Sequence, residues 1–317
     1  MHYHPRGVSE PNLPMAPDAA AQARVGFVYA LAAFVTWGLL PLYFHALGEV
    51  PAIQTLAHRI VWATIVLAVM ISVRGGWRDG LAAIRRRDLK VFAATTLLLS
   101  TNWLVYIVAV NTDRVLEASL GYFVTPLVNV GLGIVVLGER LSRPQGLAIA
   151  LAAVGVVVLV VGTGSAPWIP LTLAASFGTY GLLRKRLAVP PVVALFVETV
   201  AMLPLAAGYL VLVAARDEAV FGAGGTVDVL LLGTGIVTAF PLIWFAHGAR
   251  RLRLATLGAL QYVSPSLGMA IAVFVFAEDF GPWHAVAFTI IWVSLAIYGA
   301  DAAARTRVHG DRPRDLP

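Results

Sequence analysis

The sequence predicts an all-α membrane protein whose ten transmembrane helices form two inverted five-helix repeats. Three observations predict it: apolar runs long enough to cross a bilayer recur throughout, basic residues fall in alternate loops, and the two halves match at a nearly constant offset. Of the 317 residues 59% are hydrophobic and 13% charged, with mean hydropathy +0.81, whereas a soluble domain is about one-quarter charged. A bilayer core about 30 Å thick takes about 20 apolar residues. Ten such runs fall at 25–46, 52–73, 91–110, 119–138, 146–163, 168–183, 192–214, 229–248, 255–277 and 284–302.

Residues 1–24, with four prolines and little apolar content, read as a disordered cytoplasmic tail. The run from 25 to 46 is too long for a signal peptide and lacks a clear basic flank and a small-residue cleavage site. It reads as the first span. The five spans within 25–163 form the first repeat and those within 168–303 the second, leaving 304–317 as a second cytoplasmic tail.

The net charge of +6 raises the question of nucleic-acid binding, which the placement of the charges answers. Of 23 lysines and arginines, 20 lie in the two tails or in the loops after spans two, four, six and eight, and the opposite loops hold only Arg114 and Arg216. By the positive-inside rule both termini are cytoplasmic and the span count is even. The basic balance is therefore a topology signal, and no nucleic-acid partner is implied. In the largest basic loop Trp77, Leu81 and Ile84 fall at i, i+4 and i+7, a pattern that fits an interfacial helix as well as a solvated loop.

Internal similarity supports the repeats. Phe34-Val35-Thr36-Trp37-Gly38-Leu39-Leu40 matches Phe177-Gly178-Thr179-Tyr180-Gly181-Leu182-Leu183 at an offset of 143, while Pro126 with Glu139 matches Pro265 with Glu278 at an offset of 139. Because each half has an odd number of spans, the second copy enters the membrane from the other side.

The run Leu116-Glu117-Ala118-Ser119-Leu120-Gly121-Tyr122-Phe123 with Pro126-Leu127-Val128-Asn129, the pairs Asn102-Trp103 and His58-Arg59, and Arg251-Leu252-Arg253-Leu254 with Thr256-Leu257-Gly258 resemble the RarD proteins. These form part of the EamA branch of the drug/metabolite transporter superfamily. The resemblance spans residues 25–303. It implies a ten-helix secondary transporter, with the first four helices of each half around a central cavity and the fifth and tenth peripheral.

Arg59 is the one lysine or arginine inside a span. A lone charge at the bilayer centre costs at least about 2.5–3.5 kcal/mol and is seldom left facing lipid. Arg59 stands eight residues after Pro51, as Glu198 stands eight after Pro190 on the symmetry-related span. Three expectations follow: Arg59 faces the cavity with His58 and Trp62 nearby and binds an anionic group of the solute, it pairs with Glu198 in one conformational state, or it snorkels to the interface. On the fourth span Tyr122, Pro126 and Asn129 share one face, and on the ninth Gln261, Pro265 and Gly268 share the equivalent face. A mid-span proline frees a backbone carbonyl, tolerated where the helix lines a wet cavity or packs within protein. Asn102 and Tyr106 lie one turn apart, suited to solute contact or an interhelical hydrogen bond. Glu117 stands at the start of its span, where it either favours the helix dipole or meets solute at the outer mouth. His247 reads as an interfacial histidine or a proton relay. Glu139 and Glu278 read as structural residues of helix corners, and Ser142-Arg143-Pro144-Gln145 as a capping box.

The absence of cysteine excludes disulfides, thiolate metal sites and cysteine nucleophiles. There is no His-Glu-x-x-His or Gly-x-Ser-x-Gly, and neither Lys90 nor Lys185 completes a phosphate-binding loop. No catalytic residue, metal or cofactor is assigned. The expected function is secondary transport of a small organic solute across the inner membrane by alternating access. A membrane-embedded enzyme acting on a lipid-linked substrate and a passive channel are the alternatives, and solute identity, direction, proton coupling and oligomeric state stay open.

Overall fold

The computed structural model describes residues 19–137, 142–164, 166–184, 186–222, 224–252 and 254–310, and among these it contains helices and no strand. The helices are α1 (Ala19–His45), α2 (Ala52–Val73), α3 (Trp77–Ala82), α4 (Leu89–Asn111), α5 (Val115–Leu137), α6 (Arg143–Thr163), α7 (Trp168–Arg184), α8 (Pro191–Ala215), α9 (Thr226–Ala249), α10 (Leu254–Leu260), α11 (Val263–Phe274) and α12 (Pro282–Gly310). Nine helical segments among the described residues are long and apolar enough to cross a membrane, α10 and α11 counting as parts of one. The sequence led to ten. The remaining run is α7, a helix of 17 residues, which sits at the lower limit of spanning length.

Helix boundaries follow local chemistry. Pro51 precedes α2 with φ −52° and ψ 132°, and Pro190 precedes α8 with φ −54° and ψ 139°. A proline supplies no N–H and has a fixed φ, so it suits the entry to a helix. The Ser142 hydroxyl accepts from Gln145 N at 3.2 Å and Gln145 Oε1 accepts from Ser142 N at 3.2 Å, which forms the expected capping box at α6. Glu139 lies outside the described residues. α1 starts at Ala19, inside the expected tail, because Ala19–Arg24 is rich in strong helix formers; α12 likewise continues to Gly310. The two mid-span prolines have different outcomes. α5 runs unbroken through Pro126, whereas the ninth run divides into α10 and α11 just before Pro265.

α1 packs on α9 and α11, and α7 packs on α4 and α5; α2 packs on α9, and α8 packs on α4. The pairs α2–α8, α5–α11 and α6–α12 complete the bundle. Helices α8, α10 and α12 begin 139 residues after α2, α5 and α6 respectively. Lipid removes most of the hydrophobic drive for helix association, so close approach of backbones carries the packing. A Cβ on Gly235 of α9 would lie 2.5 Å from the Trp62 backbone, and one on Gly121 of α5 would lie 2.9 Å from that of Pro170.

One end of the bundle, arginine-poor, carries the segments after α1, α4, α6, α8 and α11; the arginine-rich end carries those after α2, α7 and α9. The arginine-poor end is stitched together. Asn111 Nδ2 donates to Val50 O at 3.2 Å, while Gln54 donates to Glu218 O at 2.9 Å and accepts from Val220 N at 3.2 Å. Short α3 docks on α8, with the Trp77 ring edge-on to Phe196 and Leu81 exposed, so Trp77 serves packing within the protein.

Candidate functional site

Arg59 stands two turns into α2 and is buried, at 5% exposure, which removes the snorkelling alternative. Four helices hold it. Its Nε donates to Thr238 Oγ1 of α9 at 2.9 Å, and the Thr238 hydroxyl donates in turn to Thr234 O at 2.7 Å. The guanidinium carbon lies 4.1 Å from the ring centroid of Trp103 on α4 and 5.2 Å from that of Phe44 on α1. Such cation–π contacts strengthen where water is excluded, but they neutralise no charge. No carboxylate forms an ion pair with Arg59 among the described residues, and its buried Nη1 has no hydrogen-bond partner.

A small cavity of about 20 Å³ is walled by Trp37 and Pro41 of α1, Tyr106 of α4, Ser119 and Tyr122 of α5, and Pro265 and Gly268 of α11, and Arg59, expected to face a cavity, is not part of that wall. That volume admits little more than one water. Tyr106 and Tyr122 belong both to this wall and to the phenols nearest in charge terms to Arg59. The Tyr122 hydroxyl donates to Asn102 Oδ1 at 3.2 Å, and Asn102 Nδ2 donates to Ser176 Oγ at 3.1 Å and Leu173 O at 3.2 Å. Asn102 is thereby spent on joining α4, α5 and α7. Pro265 lines the cavity; Pro126 is buried and does not. Asn129 is exposed, and Gln261 is half-buried where α10 meets α11.

His58 and Trp62 turn to another neighbour, Phe221, whose ring lies 4.9 Å from the imidazole and 6.2 Å from the indole. Glu198 is fully buried, its Oε2 accepting from the Tyr180 hydroxyl at 3.1 Å. The groups that bear on it are Arg184, Thr95 and Tyr180, so the Arg59–Glu198 pairing is absent in this conformation.

A second cavity, of about 270 Å³, opens at the arginine-poor end between Arg114 and Glu117 of the α4–α5 corner and Glu278 and His284 of the α11–α12 corner. Arg114 binds Glu117 bidentately at 2.7 and 2.9 Å. Glu278 caps a helix of the other half, its two oxygens accepting from Val115 N at 2.6 Å and Leu116 N at 2.8 Å. Burial lifts the Glu278 carboxyl above the usual carboxylate range against the pull of those two N–H groups, and the charges of Asp113 and Glu117 push it further up. His247 lies at the arginine-rich end, stacked on Tyr29, with Arg251 Nη1 3.4 Å from its Nδ1.

Sequence reasoning missed Thr238 and Phe44 as partners of Arg59, Tyr180 and Arg184 as neighbours of Glu198, and Phe221. All lie on a different segment from what they touch, 14 to 179 residues away, and periodicity within one helix carries no signal for such pairs. Trp103 was in view beside Asn102 but not as the surface on which Arg59 lies. Among the described residues no three histidine or acidic side chains converge as a metal site would require.

Comparison with known proteins agrees with this architecture. Residues 24–161 match the EamA-like transporter family. Protein RarD of Escherichia coli (strain K12) is 43% identical over 286 residues, covering 89% of this chain and 96% of its own length. An uncharacterized transporter of Vibrio cholerae is 42% identical over 289 residues, covering 90% and 95%, and the uncharacterized transporter YojE of Bacillus subtilis (strain 168) is 41% identical over 283 residues, covering 88% and 94%. A crystal structure of a protein 23% identical in sequence superposes with a TM-score of 0.57 over 88% of this chain and 97% of that one, a likeness of fold. With apolar helices throughout and such relatives along nine-tenths of its length, the chain belongs to the RarD-type family of EamA membrane transporters.

Proposed function

We propose that the chain is a secondary carrier of the bacterial inner membrane that moves a small organic anion by alternating access, the anion binding at Arg59. The isolation of the guanidinium carries this reading. Arg59 is buried, keeps an unused buried Nη1, and among the described residues is met by an uncharged hydroxyl and aromatic rings, while Tyr106 and Tyr122, whose phenols bear on its charge, wall the small cavity. A buried charge without a counter-ion is costly, and a carboxylate on the solute would meet both the charge and the open donor through the planar fork of the guanidinium. The aromatic wall of Trp37, Tyr106 and Tyr122 would take the solute's apolar part.

Alternating access draws support from the packing. Exchanging α1 with α7, α2 with α8, α4 with α9, α5 with α10–α11 and α6 with α12 turns every principal helix contact into another that is present, as two inverted repeats with α7 as the tenth span require. The 20-to-2 distribution of basic loop and tail residues supports cytoplasmic termini. Tight stitching of the arginine-poor end fits a state closed on that side. The test is thermal stabilisation of the purified protein across a library of small carboxylic acids and their amides. Acids, and not the matched amides, should raise the melting temperature of wild type and leave Arg59→Lys little changed; equal response to acid and amide would remove the anion from the reading.

A further inference from the structure

Glu198 is the other charged residue deep in the bundle, and its surroundings differ in kind from those of Arg59. It lies about 10 Å along α8 from the arginine-rich end and is wholly buried. From α7 it is faced by Tyr180 and Arg184 and from α4 by Thr95; α2 and α9, which also pack on α8, present no titratable group that bears on it. Its Oε2 accepts one hydrogen bond, 3.1 Å from the Tyr180 hydroxyl, and its Oε1 has no hydrogen-bond partner among the described residues. Arg184 is the cation that bears on it, yet no ion pair joins the two among the described residues, and the buried Nη1 of Arg184 has no hydrogen-bond partner there.

An ionised carboxylate stripped of water needs several donors or a close counter-ion. One phenol is neither. The neutral acid fits better: Tyr180 donates to the carbonyl oxygen, and among the described residues neither a second donor within hydrogen-bond distance nor an ion pair meets the carboxyl group. We propose that Glu198 is a proton-binding site of the arginine-rich half, loaded in this conformation and emptied to water when that end opens. The O–H bond forms with a proton taken from the aqueous phase at the arginine-rich end, and on opening the proton returns to that water, leaving a carboxylate that Arg184 can meet. Only this release step rests on the carrier reading; the bound proton does not.

The measurement is infrared difference spectroscopy of the protein in proteoliposomes, without solute. Wild type minus Glu198→Gln at neutral pH should show the C=O band of a protonated carboxyl, and Tyr180→Phe should move that band to higher frequency by removing its hydrogen bond. In a pH titration Arg184→Gln should keep the band to higher pH than wild type. Absence of the band from wild type at neutral pH overturns the proton site and leaves the anion reading at Arg59 untouched. Should Glu198→Gln fail to insert, wild type against Tyr180→Phe decides: a shifted carboxyl band supports the site, and identical spectra overturn it. An unmoved titration in Arg184→Gln overturns the release step.

Discussion

Arg59 and Glu198 stand at matching positions of the two halves, and pairing in one conformational state is one of the three expectations for Arg59 from sequence. The structure gives each its own surroundings, with Arg59 on Thr238, Trp103 and Phe44 and Glu198 on Tyr180, Thr95 and Arg184. Residues that share no partner contribute independently to stability. The losses of Arg59→Ala and Glu198→Ala should therefore add in the double variant to within about 0.5 kcal/mol, read as unfolding free energies in detergent; a double variant no worse than either single one would restore the pair. Glu278 gives a prediction in pH. Its carboxyl is raised in the folded protein, so the folded state holds its proton more tightly than the unfolded chain does. Stability from this group is complete below the ordinary carboxylate range and is lost as pH rises through the raised value. Wild type should thus lose stability relative to Glu278→Gln as pH climbs across that window. A wild-type advantage that grows instead would mean that the Val115 and Leu116 N–H groups outweigh burial.

Among the elements, the two prolines part company. Pro265 lines the cavity beside the break between α10 and α11, whereas Pro126 sits in the continuous helix α5. Pro265→Ala restores an N–H that can close the helical ladder across the break, so it should reduce transport well below that of Pro126→Ala while both variants insert normally. Equal defects would return the prolines to one shared role. Glycines separate contact from propensity in the same way. A methyl group at Gly235 meets the Trp62 backbone at 2.5 Å, while one at Gly208 of α8 meets nothing within 4 Å. Gly235→Ala should cost about 1–3 kcal/mol and Gly208→Ala should gain up to about 1 kcal/mol, compared by thermal unfolding. The start of α2 after Pro51, that of α8 after Pro190 and the Ser142 capping box were legible in sequence because each rests on residues within one turn. The break before Pro265 was not, since Pro126 shows that a proline alone does not decide it.

For the whole molecule, the periodic placement of apolar runs and arginines was enough to read a helical membrane protein, because membrane insertion acts on the length, hydropathy and flanking charge of each run. The contacts at the arginine-poor end were not legible: Glu278 on Val115 and Gln54 on Glu218 join segments separated by more than 160 residues. Topology can be tested on a chain free of native cysteine. Cysteine at exposed Glu49 or Glu218 should react with an impermeant thiol reagent outside intact cells, and cysteine at exposed Ala82 or Ala188 should not; the opposite pattern would reverse the orientation. The most direct test of the carrier with Arg59 at its centre is solute counterflow in proteoliposomes, using an acid that stabilises the wild-type protein. Wild type should exchange labelled for unlabelled acid, and Arg59→Lys, which keeps the charge but loses the two-pronged fork, should fall at least about tenfold. Uptake without counterflow, or wild-type exchange by Arg59→Lys, would contradict the account.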